Sequence, residues 1–493
     1  MAPAREGQGN RVFLSLWGVI SLLTFLWQLV LGTSPLYAFT ALAIFLLSPL
    51  VIQMNGGISS MGSLLFIASY AKLFFISQWL KILMGQPADT HLQAPQQTVF
   101  VLLLGLGVFM VAGLAVQFLF RRTKQSLLIP QDPTFLARLS IAVVGLTLVS
   151  IVGRHLAGLS RANDGEYEEG QGLVLLMYMA NLMPLAVAAL TARCAILSDG
   201  RRFVDRWVVL LLLLTVAQGF WENVRMIMLA GAVAFAATYI AYGGIIRFRH
   251  AVMIGVVGLL LQVLVFPLVD IQRGIERGLG AGGFFSETLN VASELLDPEA
   301  RAQRAEGLEN VYYSWDTRLY YGTPLGFLDR FAPSPLDETI AYVEDMGTFG
   351  GEGFLGQFLY AIPNVILALF GVERPIRGGE VLEVHILGTF SNMNYGVFAE
   401  TYAYFGPLWF LPVNIVVLFL YLAGLRLLYG PGQRSYFVPF GFSTLYFSYC
   451  NADIADIGPQ VTIQALMNFI ILMTVSVLTN QFGPRRLLKL RTA

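Results

Sequence analysis

Twelve apolar runs, each close to the length that crosses a bilayer, constrain this chain more than any other feature. They lie near 12–31, 36–54, 62–84, 98–120, 135–153, 172–195, 206–220, 226–246, 251–270, 402–428, 435–452 and 461–480. A helix needs roughly 20 such residues to traverse the hydrocarbon core. With 56% of residues apolar and only 13% charged, an ordinary soluble domain is excluded. The expected fold class is an all-α polytopic membrane protein of about 12 transmembrane helices, with one large extracytoplasmic loop holding short or re-entrant helices. Three regions follow: a transmembrane bundle over 1–270, the loop over 271–395 and further spans over 396–493.

The short loops set the orientation. Arg121, Arg122 and Lys124 fall together, as do Arg201, Arg202 and Arg206, then Arg247 and Arg249, then Arg426 and Arg434, and finally Arg485, Arg486, Lys489 and Arg491. With twelve spans all of these share the side of Arg5 and Arg11, which the positive-inside rule makes cytoplasmic. Both termini are then cytoplasmic. The first run is read as a span rather than a cleaved leader, because no small-residue cleavage site follows it. Lys81, near the outer end of the third span, either snorkels to the interface or marks a span boundary placed wrongly. Cys194 and Cys450 are far apart in apolar runs and indicate no disulfide framework.

The long polar segment 271–395 carries seventeen of the thirty-one acidic residues and eight arginines, with no lysine. Orientation places it outside. Its stretch 355–371 is apolar, but it is short and interrupted by Pro363 and Asn364, so it reads as an interfacial or re-entrant helix buried against protein. Phosphate-loop, HExxH and GxSxG motifs are absent, and His91, His155, His250 and His385 have no ligand spacing. The expectation is chemistry without a cofactor, without a metal and without nucleic acid, driven by the substrate itself.

Ionisable residues in or beside apolar runs are functional candidates. Lys72 is mid-span, Glu222 and Arg225 flank an outward turn, and Asp270, Arg273, Glu276 and Arg277 leave the ninth span. On a continuing helix Arg273 and Arg277 share a face and could grip a diphosphate with forked hydrogen bonds; ordinary i, i+3 pairing with Asp270 and Glu276 is the alternative. Glu400, in FAETYAYFG, is either a helix-end anchor or a base at the mouth of a site. His385 is a second candidate base, or an exposed loop histidine. The aromatic cluster that includes Trp315 and Tyr320 offers faces for sugar rings, or forms an interfacial belt.

Three passages carry a resemblance: VRMIMLAGAV (224–233), IPNVILALFGVERP (362–375) and GVFAETYAYFGPL (396–408). Together with the large external loop, they make the chain similar to the bacterial O-antigen and oligosaccharide repeat-unit polymerases of the Wzy type. Asn364 stands where that family often has an arginine after the proline, and its Arg-to-Gly spacing is met by Arg377 and Gly388. The resemblance implies that undecaprenyl-diphosphate-linked oligosaccharides are joined at the outer face of a bacterial inner membrane. One unit's hydroxyl would attack the anomeric carbon of the growing chain, and the lipid diphosphate would leave. It implies diphosphate contacts from Arg225, Arg273, Arg277 and Arg374, a base in Glu400 or His385, and glycan contacts from Tyr402, Tyr320 and Trp315. A chain-length regulator and a flippase are the implied protein partners, beside the bilayer.

An O-antigen ligase is the nearest rival and leans on a loop histidine, which makes His385 the discriminating residue. A flippase or other transporter would carry its charges at mid-membrane, where only Lys72 fits. A scaffold in a glycan-assembly complex would need no aligned arginines.

Overall fold

A computed structural model describes residues 3–58, 60–121, 132–156, 179, 182–221, 225–244, 258, 320–322, 328, 331–351, 353–362, 364–387, 395–429 and 454–478. Among the described residues every regular element is helical. The helices are α1 (Pro3–Val30), α2 (Pro35–Met54), α3 (Met61–Leu83), α4 (Pro95–Leu119), α5 (Pro133–Leu156), α6 (Met183–Leu197), α7 (Arg206–Trp221) and α8 (Arg225–Ala241). Short helices follow: α9 (Ser334–Met346), α10 (Phe354–Gln357, continued as a 3-10 turn Phe358–Ala361), α11 (Asn364–Leu369) and α12 (Gly378–Leu387). The last two are long, α13 (Gly396–Tyr429) and α14 (Ile454–Leu478).

Among the described residues five helices are long and apolar enough to cross a membrane: α2, α3, α4, α5 as far as Gly153, and α13 as far as Leu427. The apolar stretches of α1, α6, α7, α8 and α14 are shorter. Of the expected runs, 435–452 and all of 251–270 except residue 258 lie outside the described residues; 172–195 falls on α6 only from Met183 onward, and the described parts of the others fall largely on helices.

Hydroxyls inside these helices satisfy themselves locally. Thr147, Thr191, Thr215 and Thr238 are buried, and each donates to the carbonyl four residues back, so these hydroxyls are satisfied within their own helices. α4 is the hub, packing on α2 and α13, while α6 joins α5, α7 and α8. Close approach depends on small residues: a Cβ on Gly105 of α4 would lie 2.6 Å from the Phe398 ring. Residues 28–34 and 86–98 meet at one end of the bundle, the loop end, where Ala88 N–H donates to Gln28 and Ser34 N–H to Asp89. Asp337 of α9 closes that end. Its carboxylate accepts from Gln93 N–H (2.7 Å), Ala94 N–H (3.0 Å) and Thr98 Oγ1 (2.8 Å), so another helix caps the start of α4. The opposite end gathers Asn55, Gln117, Phe120 and Arg426.

Lys81 does not snorkel. It is fully buried at the loop end, donates to Thr90 O (3.1 Å) and lies 4.3 Å from the centre of the Tyr320 ring. A cation–π contact and a carbonyl replace water around its ammonium. Lys72 falls in a π-helical turn, Ala71–Phe75, that breaks the register of α3.

The largest departure from expectation is in α13. A straight helix would place Thr401 and Asn414 about 20 Å apart along its axis. Instead Asn414 Nδ2 donates to Thr401 Oγ1 at 2.7 Å, and the rings of Phe398 and Phe410 sit 5.5 Å apart. The chain doubles back at Gly406, whose φ of 68° and ψ of −173° suit only glycine. Pro407 follows and starts the span proper. Gly396–Phe405 is therefore a folded-back arm, and the expected span beginning at 402 starts at Pro407 instead. Phe349 N–H caps the arm's end by donating to Ala403 O (3.0 Å).

Candidate functional site

The arm carries Glu400, and Glu400 joins three elements. The residue is 0% exposed. Its Oε2 accepts from the backbone N–H of Ile454, the first residue of α14, at 2.7 Å. Its Oε1 lies against Gly378, the first residue of α12, so closely that a Cβ there would be 2.0 Å away. Two helix starts thus converge on one carboxylate, and their positive ends suit its charge. Gly378 N–H in turn donates to Gln357 Oε1 (3.0 Å), and Gln357 Nε2 donates to Ile376 O (2.9 Å). The glycine is required here by contact, since any side chain would displace the carboxylate.

This anchoring fixes the short segment 374–378 and its two arginines. The guanidiniums of Arg374 and Arg377 lie 4.8 and 5.5 Å from the centre of one ring, that of Tyr360. Tyr360 is held by its hydroxyl, which donates to Pro375 O at 2.6 Å. Arg374 also donates to Ile362 O. Arg377 is 4.0 Å from Glu380, and both side chains are nearly half exposed, so that pair leaves the cation accessible. Burial raises the Tyr360 phenol pKa, against the pull of Arg377 and Arg374. Thr462 of α14 secures the same turn by donating to Ala361 O (2.7 Å).

At the other end of α12, His385 is exposed. Its Nδ1 is 2.7 Å from Val381 O, so Nδ1 carries the hydrogen and Nε2 is the acceptor in the neutral ring. The imidazole rests on Phe349, with ring centres 4.8 Å apart, and Phe349 caps the arm. α12 therefore carries a cationic start and a basic imidazole, with the arm behind it.

The stretch 355–371 is not a single buried helix. It comprises α10 with its 3-10 turn, which ends before Ile362, and α11 from Asn364. Its apolar side chains face outward, among them Leu355, Phe358, Ile366, Leu369 and Phe370. Such a surface beside arginines fits the boundary between acyl chains and headgroups.

Of the expected residues, Arg374 and Glu400 flank the start of α12, Glu400 against Gly378, whereas His385 lies at the other end of that helix, about 10 Å along its axis. Glu400 is fully buried and hydrogen-bonded to a helix start, which makes it an anchor rather than a base open to substrate. Tyr402 and Tyr320 are each 3% exposed. Tyr402 packs on Phe410, while Tyr320 donates to Ala88 O and lies under Lys81. Neither ring presents a face to a glycan in this conformation. Arg273, Arg277 and Trp315 lie outside the described residues, as does the side chain of Arg225. Tyr360, Gln357 and Gly378 were not foreseen. The signal was available in part, because a glutamine and a tyrosine three residues apart interrupt an otherwise apolar stretch before the arginines.

No protein-family model matches the chain, and neither a curated protein nor a solved structure does. Fold and composition together define a class: a helical membrane protein, with apolar helices suited to a lipid bilayer. Within that class, the arginine pair on α12's approach is its most distinctive chemical feature.

Proposed function

We propose that this protein is a polymerase of lipid-linked glycans, joining undecaprenyl-diphosphate-linked oligosaccharide repeat units into a surface polysaccharide at the outer face of a bacterial inner membrane. The observation that carries this reading is the convergence of Arg374 and Arg377 on the Tyr360 ring. Beside them lies an outward-facing apolar strip that suits an isoprenoid tail. Two guanidiniums held by one ring are pre-organised for a diphosphate, and less side-chain entropy is lost on binding.

In this mechanism the acceptor sugar hydroxyl forms the new C–O bond at the anomeric carbon. The bond from that carbon to the diphosphate oxygen breaks, and the lipid diphosphate departs with its electron pair. Arg374 and Arg377 stabilise the charge that develops there. The hydroxyl proton passes to Nε2 of His385, whose Nδ1–H is fixed by Val381 O. Glu400 positions α12 through Gly378 and is a positioning residue. Arg225, Arg273 and Arg277 remain candidates for the same diphosphate. No ATP or metal step is required, because breaking the glycosyl–diphosphate bond of the donor, with the stable lipid diphosphate as leaving group, supplies the driving force.

The test is the glycan ladder of cells carrying variants at normal protein level. Arg374→Ala and Arg377→Ala together should leave single repeat units and no long chains; persistence of the full ladder overturns the reading. His385→Gln separates it from a ligase. Single units point to polymerisation, whereas unattached polymer points to ligation. Accumulation of donor on the inner leaflet would indicate a flippase.

A further inference from the structure

At the opposite end of the bundle, Arg426 in the last turn of α13 is only 9% exposed. Its Nη2 lies 3.5 Å from Phe120 O, the limit of a hydrogen bond, and its Nε is buried without a hydrogen-bond partner. Among the described residues no carboxylate pairs with it. A guanidinium has five N–H donors, and a buried one without an anion is costly to keep.

Arg426 lines a half-open cavity with ≈ 30 Å³ of free space, shared with Asn55, Gly62, Gly113 and Gln117. By the same measure one water needs about 10–15 Å³, so the space takes two or three waters or one tetrahedral oxyanion. Among the described residues no acidic side chain is in the wall. Val116 and Leu422 add apolar wall, and the start of α3 completes it: Ser60 caps Ser63 N–H at 3.1 Å, and Met61 and Gly62 open the helix onto the cavity. A helix start favours negative charge. Asn55 is not free to rotate into the space, since its Nδ2 is committed to Val51 O and Phe109 O. The cavity is therefore a cleft with a cationic wall and a helix start.

The geometry points to a binding site for a phosphate-bearing anion between α3, α4 and the end of α13, on the side of the bundle away from the arginine pair. The phosphate is either the headgroup of a lipid in the adjacent leaflet or a soluble ion. Such a ligand would tie the end of α13 to α3, and through α13 it would reach the Gly406 corner.

The experiment uses full-length protein in detergent at constant ionic strength. The probes are inorganic phosphate and dioctanoyl phosphatidic acid, with dioctanoylglycerol as control. Modification of Arg426 by phenylglyoxal is followed by mass spectrometry, alongside the thermal midpoint. At least one phosphate probe should slow modification about tenfold and raise the midpoint, and Arg426→Gln should bind about tenfold more weakly, the loss expected for one charge-assisted contact. Protection by phosphatidic acid alone assigns a lipid headgroup, whereas protection by both assigns a soluble phosphate site. The inference is overturned if neither probe protects wild-type Arg426 beyond the control, or if Arg426→Gln keeps the full midpoint shift. Should that variant not fold, wild-type protection alone decides.

Discussion

Thr401 and Asn414 give the sharpest test of the α13 corner. Thirteen residues of continuous helix rise about 20 Å, far beyond any direct side-chain contact. In the structure their side chains are 2.7 Å apart. With Cys194 and Cys450 replaced by serine, Thr401→Cys and Asn414→Cys should therefore cross-link within one chain, by oxidation or with a one-carbon thiol linker. A disulfide needs Cα atoms about 4.4–6.8 Å apart, which a straight helix cannot offer at this spacing. Tryptic mapping of folded, membrane-embedded protein identifies the product. Gly406→Ala supplies the energetic half of the test. Its φ of 68° and ψ of −173° should cost an alanine about 1–3 kcal/mol, and a Cβ would also press to 3.0 Å from Thr348 Cγ2. A lowered thermal midpoint with loss of the cross-link is expected. If the two cysteines fail to join in the folded protein while a control pair four residues apart on the arm reacts, the corner is wrong. The anchored placement of Glu400 would then fall with it.

Three further outcomes follow from the same contacts. Asp337→Ala should destabilise the loop end by about 2–4 kcal/mol, because three hydrogen bonds at the start of α4 are lost together; a thermal midpoint within error of wild type would contradict the capping role. Lys81→Met should release residues 320–322, seen as faster labelling of a cysteine placed at Tyr321, since the cation over Tyr320 is then gone. The Tyr360 phenol has its pKa raised by burial, so its contribution is complete below the free value of about 10 and fades as pH rises through the higher folded value. Tyr360→Phe should accordingly remove an alkaline loss of stability above about pH 10, measured as thermal midpoint against pH.

Hydropathy made the helices legible because a bilayer imposes length and apolarity on every crossing, whatever its neighbours. That signal fails where the chain enters apolar surroundings without crossing. The expected run at 402–428 takes in the end of the arm and the span after it, and within it only Gly406 followed by Pro407 hints at a break. The same dipeptide could equally sit in a bent helix. The corner exists because pairings remote in sequence hold it, such as Phe349 with Ala403 and Glu400 with Ile454, and periodicity does not encode them. This is also why sequence leaves Glu400 open between a helix-end anchor and a mouth carboxylate: it sits at an outer helix end in sequence, whereas folding back carries it inward against two helix starts. Lys81 is a parallel case, since its partners Thr90 and Tyr320 come from one near loop and one distant one. In each case a charge stands at an apparent membrane boundary in sequence, and the fold supplies backbone dipoles or an aromatic face in place of water. A lone ionisable residue in an apolar run thus marks where distant backbone must arrive. Arg426 is a residue of this kind to which, among the described residues, no carboxylate arrives.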